Sequence, residues 1–182
     1  MNHNAGVSFT PYFFRAYTLL AVFFLASCSL IDGPKIDTKR FRAVDRAARS
    51  VGAAISTGTD YGRFNELIEE FAEEISRIQI SAGSAGDAEL LKHYQNLLGI
   101  YRDGLVVWRY KLEAPRYDFI PPGRIYVGQD VEPIVEKYRF SVETHVYLPT
   151  DKTWKSMSEE SLRVIWMNAR SQMEVINRIM RR

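Results

Sequence analysis

Four stretches of the chain repeat apolar residues at steps of three and four, the signature of a helix with one buried face. The first is predicted over 38–57, with Phe41, Val44, Ala48, Val51 and Ile55 as its stripe, Asp37 as N-cap and Gly58 as stop. The second is predicted over 61–79, with Tyr61, Phe64, Leu67, Ile68, Phe71, Ile75 and Ile78, behind Thr59 or Asp60 as cap. Small residues from Ser81 to Gly86 then make a loop. The third and longest is predicted over 87–113, carrying Leu90, Tyr94, Leu97, Tyr101, Leu105, Trp108 and Leu112. Gly99 and Gly104 lie inside it. Each weakens a helix by about 1 kcal/mol relative to Ala, and a glycine there can mark the close approach of another backbone. The fourth is predicted from Met157 to the carboxyl end, on Leu162, Ile165, Trp166, Ala169, Met173, Ile176 and Met180. Ser156 and Glu159 have capping-box spacing before it, and Arg178, Arg181 and Arg182 suit the negative end of its dipole.

The stretch 114–155 follows no helical period. Pro115, Pro121, Pro122 and Gly123 exclude a long helix in its first half, and a short helix from Val131 to Tyr138 fits after Asp130. Residues 140–148 alternate as a strand does, but a lone strand has no partner. Arg124 to Val127 is one candidate partner, and extended coil is the preferred reading. The fold expected is therefore all-α: an antiparallel bundle of about four helices, with a long irregular connection, rich in proline and aromatic residues, between the third and fourth.

The amino end follows a different pattern. Arg15 precedes an apolar run from Tyr17 to Ala26, and small residues follow. From Ala16 to Leu30 the chain covers roughly 22 Å as helix, at about 1.5 Å per residue, short of the roughly 30 Å of a hydrocarbon core. The order of charge, apolar core and small residues is that of an export signal. The run ends in Leu25-Ala26-Ser27-Cys28, which resembles the lipobox of bacterial lipoproteins. That resemblance covers residues 1–29 only. It implies a cleaved signal over 1–27, diacylglycerol on the Cys28 thiol and an acyl group such as palmitate on the freed amine. A lipidated tether then runs over 28–36, and by length the remainder, 37–182, is a single domain. Ser29 in place of Asp implies the outer membrane, with the domain facing the periplasm. At about 3.5 Å per residue the tether reaches at most roughly 30 Å.

Composition narrows the function further. Cys28 is the only cysteine, so no internal disulfide can close. The 24 basic and 22 acidic residues nearly balance, which argues against nucleic acid as a partner. Charge is uneven locally. The first helix is rich in Lys39, Arg40, Arg42, Arg46 and Arg49, and the second in Glu66, Glu69, Glu70, Glu73 and Glu74. Flank pairing between these two helices is the preferred reading of the basic row, ahead of contact with anionic lipid. The acidic row reads as a solvated face.

Catalytic chemistry finds little support. His93 and His145 lack close metal-ligand neighbours apart from Glu89, and no nucleophile elbow or phosphate-binding loop occurs. No catalytic residue, metal or cofactor is expected. Tyr94, Tyr101 and Trp108 either pack the core or line a ligand cavity. The apolar connection from Pro115 to Tyr126 either covers the end of the bundle or forms a partner surface, and long ordered loops are often functional. Its candidate partner-binding residues are Arg116, Tyr117, Phe119, Arg124 and Tyr126. The expectation is a membrane-anchored, non-catalytic interaction or structural component of the cell envelope, held by lipid on Cys28 and meeting an envelope protein. The alternative is a small-ligand-binding helical module with an aromatic-lined interior.

Overall fold

A computed structural model describes residues 36–79 and 83–181. The expected signal, the lipid-acceptor Cys28 and the tether as far as Lys35 lie outside the described residues, as does part of the loop between the second and third helices. From Ile36 onward the chain forms one compact unit. Its helices are α1 (Arg42–Thr57), α2 (Tyr61–Gln79), α3 (Ala85–Glu113), α4 (Glu132–Tyr138) and α5 (Glu160–Met180). A short 3-10 turn, Ala114–Arg116, follows α3. Three strands, β1 (Arg124–Tyr126), β2 (Val142–Tyr147) and β3 (Lys152–Ser158), form an antiparallel sheet in the order β1-β3-β2.

The all-α expectation is thereby overturned. Four long helices stand where the apolar stripes put them, but the connection between α3 and α5 is no irregular coil. It is a small sheet with its own helix. Strand 142–147 has a partner after all, and that partner is β3 rather than β1. The segment 152–158 was expected to lead into a helix cap. Instead Ser156 sits in β3, fully buried, and the capping box with Glu159 does not form. Ser158 Oγ accepts the Glu160 N–H at 3.3 Å in its place.

The other helix ends follow local chemistry. Asp60 Oδ1 accepts the Arg63 N–H at 2.9 Å and caps α2. Ser84 and Asp87 close a capping box, so α3 begins two residues before the predicted start. Gly58, with φ +79°, ends α1 in a conformation that suits glycine. Helix α1 starts at Arg42 because residues 38–41 form a turn. The Asp37 N–H is drawn to Asp87 Oδ1 (3.0 Å), and Phe41 is fully buried.

Two apolar clusters hold the unit together. The first joins α1, α2, α3 and the distal half of α5, with Phe41, Phe64, Phe71, Tyr94, Leu97 and Tyr101 among its buried side chains. The second joins the distal half of α3, the sheet, α4 and the start of α5 through Val107, Ile125, Val131, Ile134, Met157 and Ile165. Ile100, Trp108 and Trp166 pack against both. Helix α5 lies antiparallel along α3: Gln172 meets His93 near one end, and Trp166 covers Gly104 further along. Each large apolar side chain withdrawn from water contributes about 1.5–3 kcal/mol.

The flank pairing expected between α1 and α2 gives way to closer partners. The ion pairs that these helices show among the described residues close within each helix, Arg49 with Asp45, Arg63 with Glu66 and Glu70, and Arg77 with Glu73 and Glu74. Residues three or four apart on one helix already face each other, so pairing there costs less ordering than reaching a neighbouring helix. Tyr94 is the exception that ties α3 to α1. Its buried hydroxyl donates to Asp45 Oδ1 at 3.1 Å. Burial first, and the Asp45 carboxylate second, push this phenol well above the ordinary tyrosine range.

Candidate functional site: an aromatic groove on the sheet

Successive side chains of a strand point to opposite faces. Ile125 and Met157 are paired across β1 and β3, and both are buried against the helices. Their neighbours Arg124, Tyr126, Trp154 and Ser156 therefore lie on the outer face. The β2–β3 register sets His145 opposite Trp154 and Glu143 opposite Ser156, which adds Glu143, His145 and Tyr147 to that face.

The aromatic members form a chain of contacts. Tyr110 on α3 stacks on Tyr126 at 6.2 Å, Tyr126 meets Trp154 at 6.3 Å, and Phe119 meets Trp154 edge-on at 5.1 Å. Phe119 also touches Tyr117 (5.7 Å) and Tyr147 (5.6 Å), and the His145 ring stacks on Trp154 at 4.2 Å. Tyr117 and Phe119 reach this position on the turn after the 3-10 segment, where the Ile120 N–H donates to the Tyr117 carbonyl at 3.0 Å. Gly123, with φ +77°, then brings the chain into β1.

Between these rings lies a half-open groove of about 500 Å³, bounded by Tyr110, Tyr117, Phe119, Tyr126, Tyr147 and Trp154, with Glu113, Thr150, Lys152 and Thr153 as its polar points. That volume falls in the range of sites for small ligands or inserted side chains, about 300–1,000 Å³. Tyr117, Phe119 and Tyr147 remain exposed at its mouth. Tyr110 is fixed from behind, since its hydroxyl donates to Asp130, which also pairs with Arg109. Burial acts to raise the Asp130 carboxyl, but the Tyr110 hydroxyl, the residue's own backbone N–H and the Arg109 cation together outweigh it and hold the group below the usual carboxylate range. Gly128 makes room for this arrangement. A Cβ there would lie 2.5 Å from the Tyr110 hydroxyl oxygen.

Beside the groove, Ser156 ties the three strands. Its Oγ accepts from Arg124 Nε at 3.0 Å and lies 2.7 Å from His145 Nε2. Arg124 also donates through Nη2 to the Ser156 carbonyl (3.0 Å) and pairs with Glu143 at 2.9 Å. A serine beside a histidine has the parts of a nucleophile and base. Here the serine is 0% exposed, so no substrate carbonyl reaches Oγ while β1 and β2 flank β3. The trio clamps the strands together and orients the His145 ring on Trp154.

Of the residues singled out from sequence, Tyr117, Phe119 and Tyr126 come together in the groove. Arg124 turns to the strand clamp, and Arg116 stands exposed on the 3-10 turn outside the lining. Sequence reading missed Tyr110, Tyr147 and Trp154. The alternation of His145 and Tyr147 with a Trp in a paired strand would have flagged two of them, had 152–158 been read as a strand. His93 serves packing between helices: Gln172 Nε2 lies 3.0 Å from both its Nδ1 and its carbonyl oxygen. Among the described residues no cluster of three or more His, Cys, Asp or Glu is placed to hold a metal ion. None of their helices is long and apolar enough to cross a membrane. No protein-family model matches the chain, and neither the curated proteins nor the solved structures contain a match to it.

Proposed function

We propose that this protein is a lipid-anchored, non-catalytic binding component of the cell envelope, and that the aromatic groove on its sheet receives apolar side chains from an extended segment of an envelope protein. The observation that carries the reading is the convergence of six aromatic rings from α3, the 117–120 turn and all three strands on one half-open groove. Rings of this kind offer large contact area for little lost side-chain freedom, and aromatic anchors dominate protein interfaces. Leaving Tyr117, Phe119 and Tyr147 partly in water is costly for folding and favourable for association. Glu113 and Lys152 supply one charge of each sign at the edge, enough to orient a partner's backbone or a paired side chain. The anchor itself rests on the lipobox-like Leu25-Ala26-Ser27-Cys28.

Site-specific photocrosslinking in intact cells tests this reading. A photoreactive residue at position 147 is expected to trap one discrete partner, and the same residue at the remote, exposed position 163 is not. Phe119→Ala or Tyr117→Ala should each lower the yield by about tenfold, as loss of a single interface anchor does, while thermal melting changes little because both side chains are surface-placed. Equal yields at 147 and 163, or full yield from the double variant, defeat the proposal.

A further inference from the structure

A second concave surface lies away from the sheet, between α1 and α5. It encloses about 460 Å³ and is largely apolar, with Gly52 and Ile55 on one wall and Trp166, Met167 and Met173 on the other. Three guanidinium groups, Arg49, Arg163 and Arg170, share its boundary, and no acidic side chain does. Arg49 is held by Asp45 (2.8 Å) and by Asn177 Oδ1 (2.5 Å), and Arg163 leans on the exposed Glu160 at 3.5 Å. Arg170 has no ion-pair partner among the described residues.

The floor of the groove holds the more telling group. Tyr101 is only 2% exposed, its ring packed against Phe64 and Phe71, and its hydroxyl, which makes no hydrogen bond among the described residues, opens on the groove rather than being sealed in the core. A hydroxyl at such an opening is left to meet water or a ligand oxygen. This one points toward α1 at Gly52, where an added Cβ would sit 3.4 Å from it, and both residues line the groove. Glycine at that helix position costs about 1 kcal/mol relative to alanine. It also leaves the path from the groove to the hydroxyl open. Burial raises the Tyr101 phenol above its ordinary range, so it stays a donor at neutral pH.

We infer that the α1–α5 groove binds an amphiphile with a single long acyl chain and an anionic head, the chain lying along Ile55, Trp166, Met167 and Met173 and the head meeting Arg170 with Arg163 or Arg49. The Tyr101 hydroxyl donates to an oxygen of the ligand through the gap at Gly52. Charge complementarity favours an anion here over a cation or a neutral oil, and the half-open shape suits a flexible chain better than a rigid ring system. The site is separate from the sheet groove and does not depend on its having a partner.

The test uses the full chain in a non-ionic maltoside detergent with a long-chain fatty acid that carries a diazirine near its tail. After irradiation, mass spectrometry is expected to find the label concentrated on α5 between Val164 and Arg178, and unlabelled oleate should compete it away. Competition by lysophosphatidylglycerol alone would identify the head as a phosphate diester rather than a free carboxylate. Arg170→Ala and Gly52→Leu should each cut specific labelling about tenfold. Tyr101→Phe should cut it about threefold without lowering the melting temperature, a combination that a purely structural tyrosine would not give. Gly52→Leu fills the groove, and its tenfold loss should come without a fall in melting temperature, because leucine suits a helix better than glycine. Equal labelling by the corresponding uncharged fatty alcohol, labelling spread over all helices without competition, or undiminished labelling in both Arg170→Ala and Gly52→Leu overturns the inference.

Discussion

Asp87→Ala lowers the stability of the domain by about 3 kcal/mol or more, the largest loss expected from any polar substitution. Asp87 is buried, and its two carboxylate oxygens serve three donors. Oδ1 accepts the Asp37 N–H at 3.0 Å, while Oδ2 accepts the Ser84 N–H at 3.1 Å and Arg40 Nη1 at 3.2 Å. Its own N–H donates to Ser84 Oγ at 3.1 Å, which completes the capping box of α3. Arg40 carries the linkage on to α2, since its Nη2 donates to the Ile78 carbonyl at 3.1 Å. One side chain thus joins the entry to α1, the end of α2 and the start of α3. Alanine removes the acceptor and leaves a largely buried guanidinium, 18% exposed, facing backbone N–H groups.

The same site fixes part of the acid response. Burial acts to raise the Asp87 carboxyl. The N–H groups of Asp37 and Ser84, with the Arg40 cation, act against it and prevail, so the folded-state value lies below the ordinary one. A depressed carboxyl stabilises the fold fully above the unfolded value of about 3.9, and that contribution disappears as pH falls through the lower folded value. Wild-type and Asp87→Ala melting temperatures should differ most near neutrality and converge in strong acid. A difference under about 1 kcal/mol at pH 7 would show that Arg40 and the α3 amino end find other partners.

Two glycines in one helix should respond in opposite directions. Gly104→Ala is expected to destabilise the domain by about 2 kcal/mol, in the range for overpacking a filled core. A Cβ at position 104 would fall 2.1 Å from the outer edge of the Trp166 indole, so the ring must move. That ring is also packed edge-on against Phe64 at 5.4 Å and belongs to both apolar clusters, which limits where it can go. Gly99→Ala is expected to stabilise by about 1 kcal/mol, the helix-propensity difference alone, because nothing lies within 4 Å of the added methyl. Chemical denaturation of the two single variants checks both signs. A Gly104→Ala protein as stable as Gly99→Ala would mean that the α3–α5 contact is loose.

What could be read from the sequence was what a helix advertises locally. The stripes of α1, α2, α3 and α5 lie within single segments, and most of their buried residues are those the three- and four-step pattern marks; in the distal half of α3 the pattern drifts, since Leu112 is 53% exposed while the unmarked Val107 is buried against the sheet. The sheet could not be read in this way. Lys152-Thr153-Trp154-Lys155-Ser156-Met157-Ser158 has only two apolar side chains, which stand on opposite faces, and Ser156 with Glu159 imitates a helix start. Its strand character comes from partners elsewhere in the chain. β2 pairs along one side and β1 along the other, and a period-based reading does not register such pairings. The groove was half legible for the same reason. Tyr117, Phe119 and Tyr126 lie in one conspicuous loop, while Tyr110 and Trp154 join them only through the fold. Gly104 was rightly marked as a point of close approach, but what approaches is an indole ring rather than a backbone.

Helix α5 contributes Ala169 and Ile176 to one cluster and Leu162 and Ile165 to the other, so this one helix is the keystone of both. As the chain is delivered from its amino end, α1 to α3 can gather, but the inner side of α3 stays bare until α5 arrives. β3 also comes late, so β1 and β2 wait without their shared neighbour. The nascent chain therefore passes through a prolonged interval of sticky, unclosed surface, the condition under which holding chaperones bind. A chain cut before residue 160 lacks the helix that both clusters share, and it is expected to be far more sensitive to added protease than the intact domain.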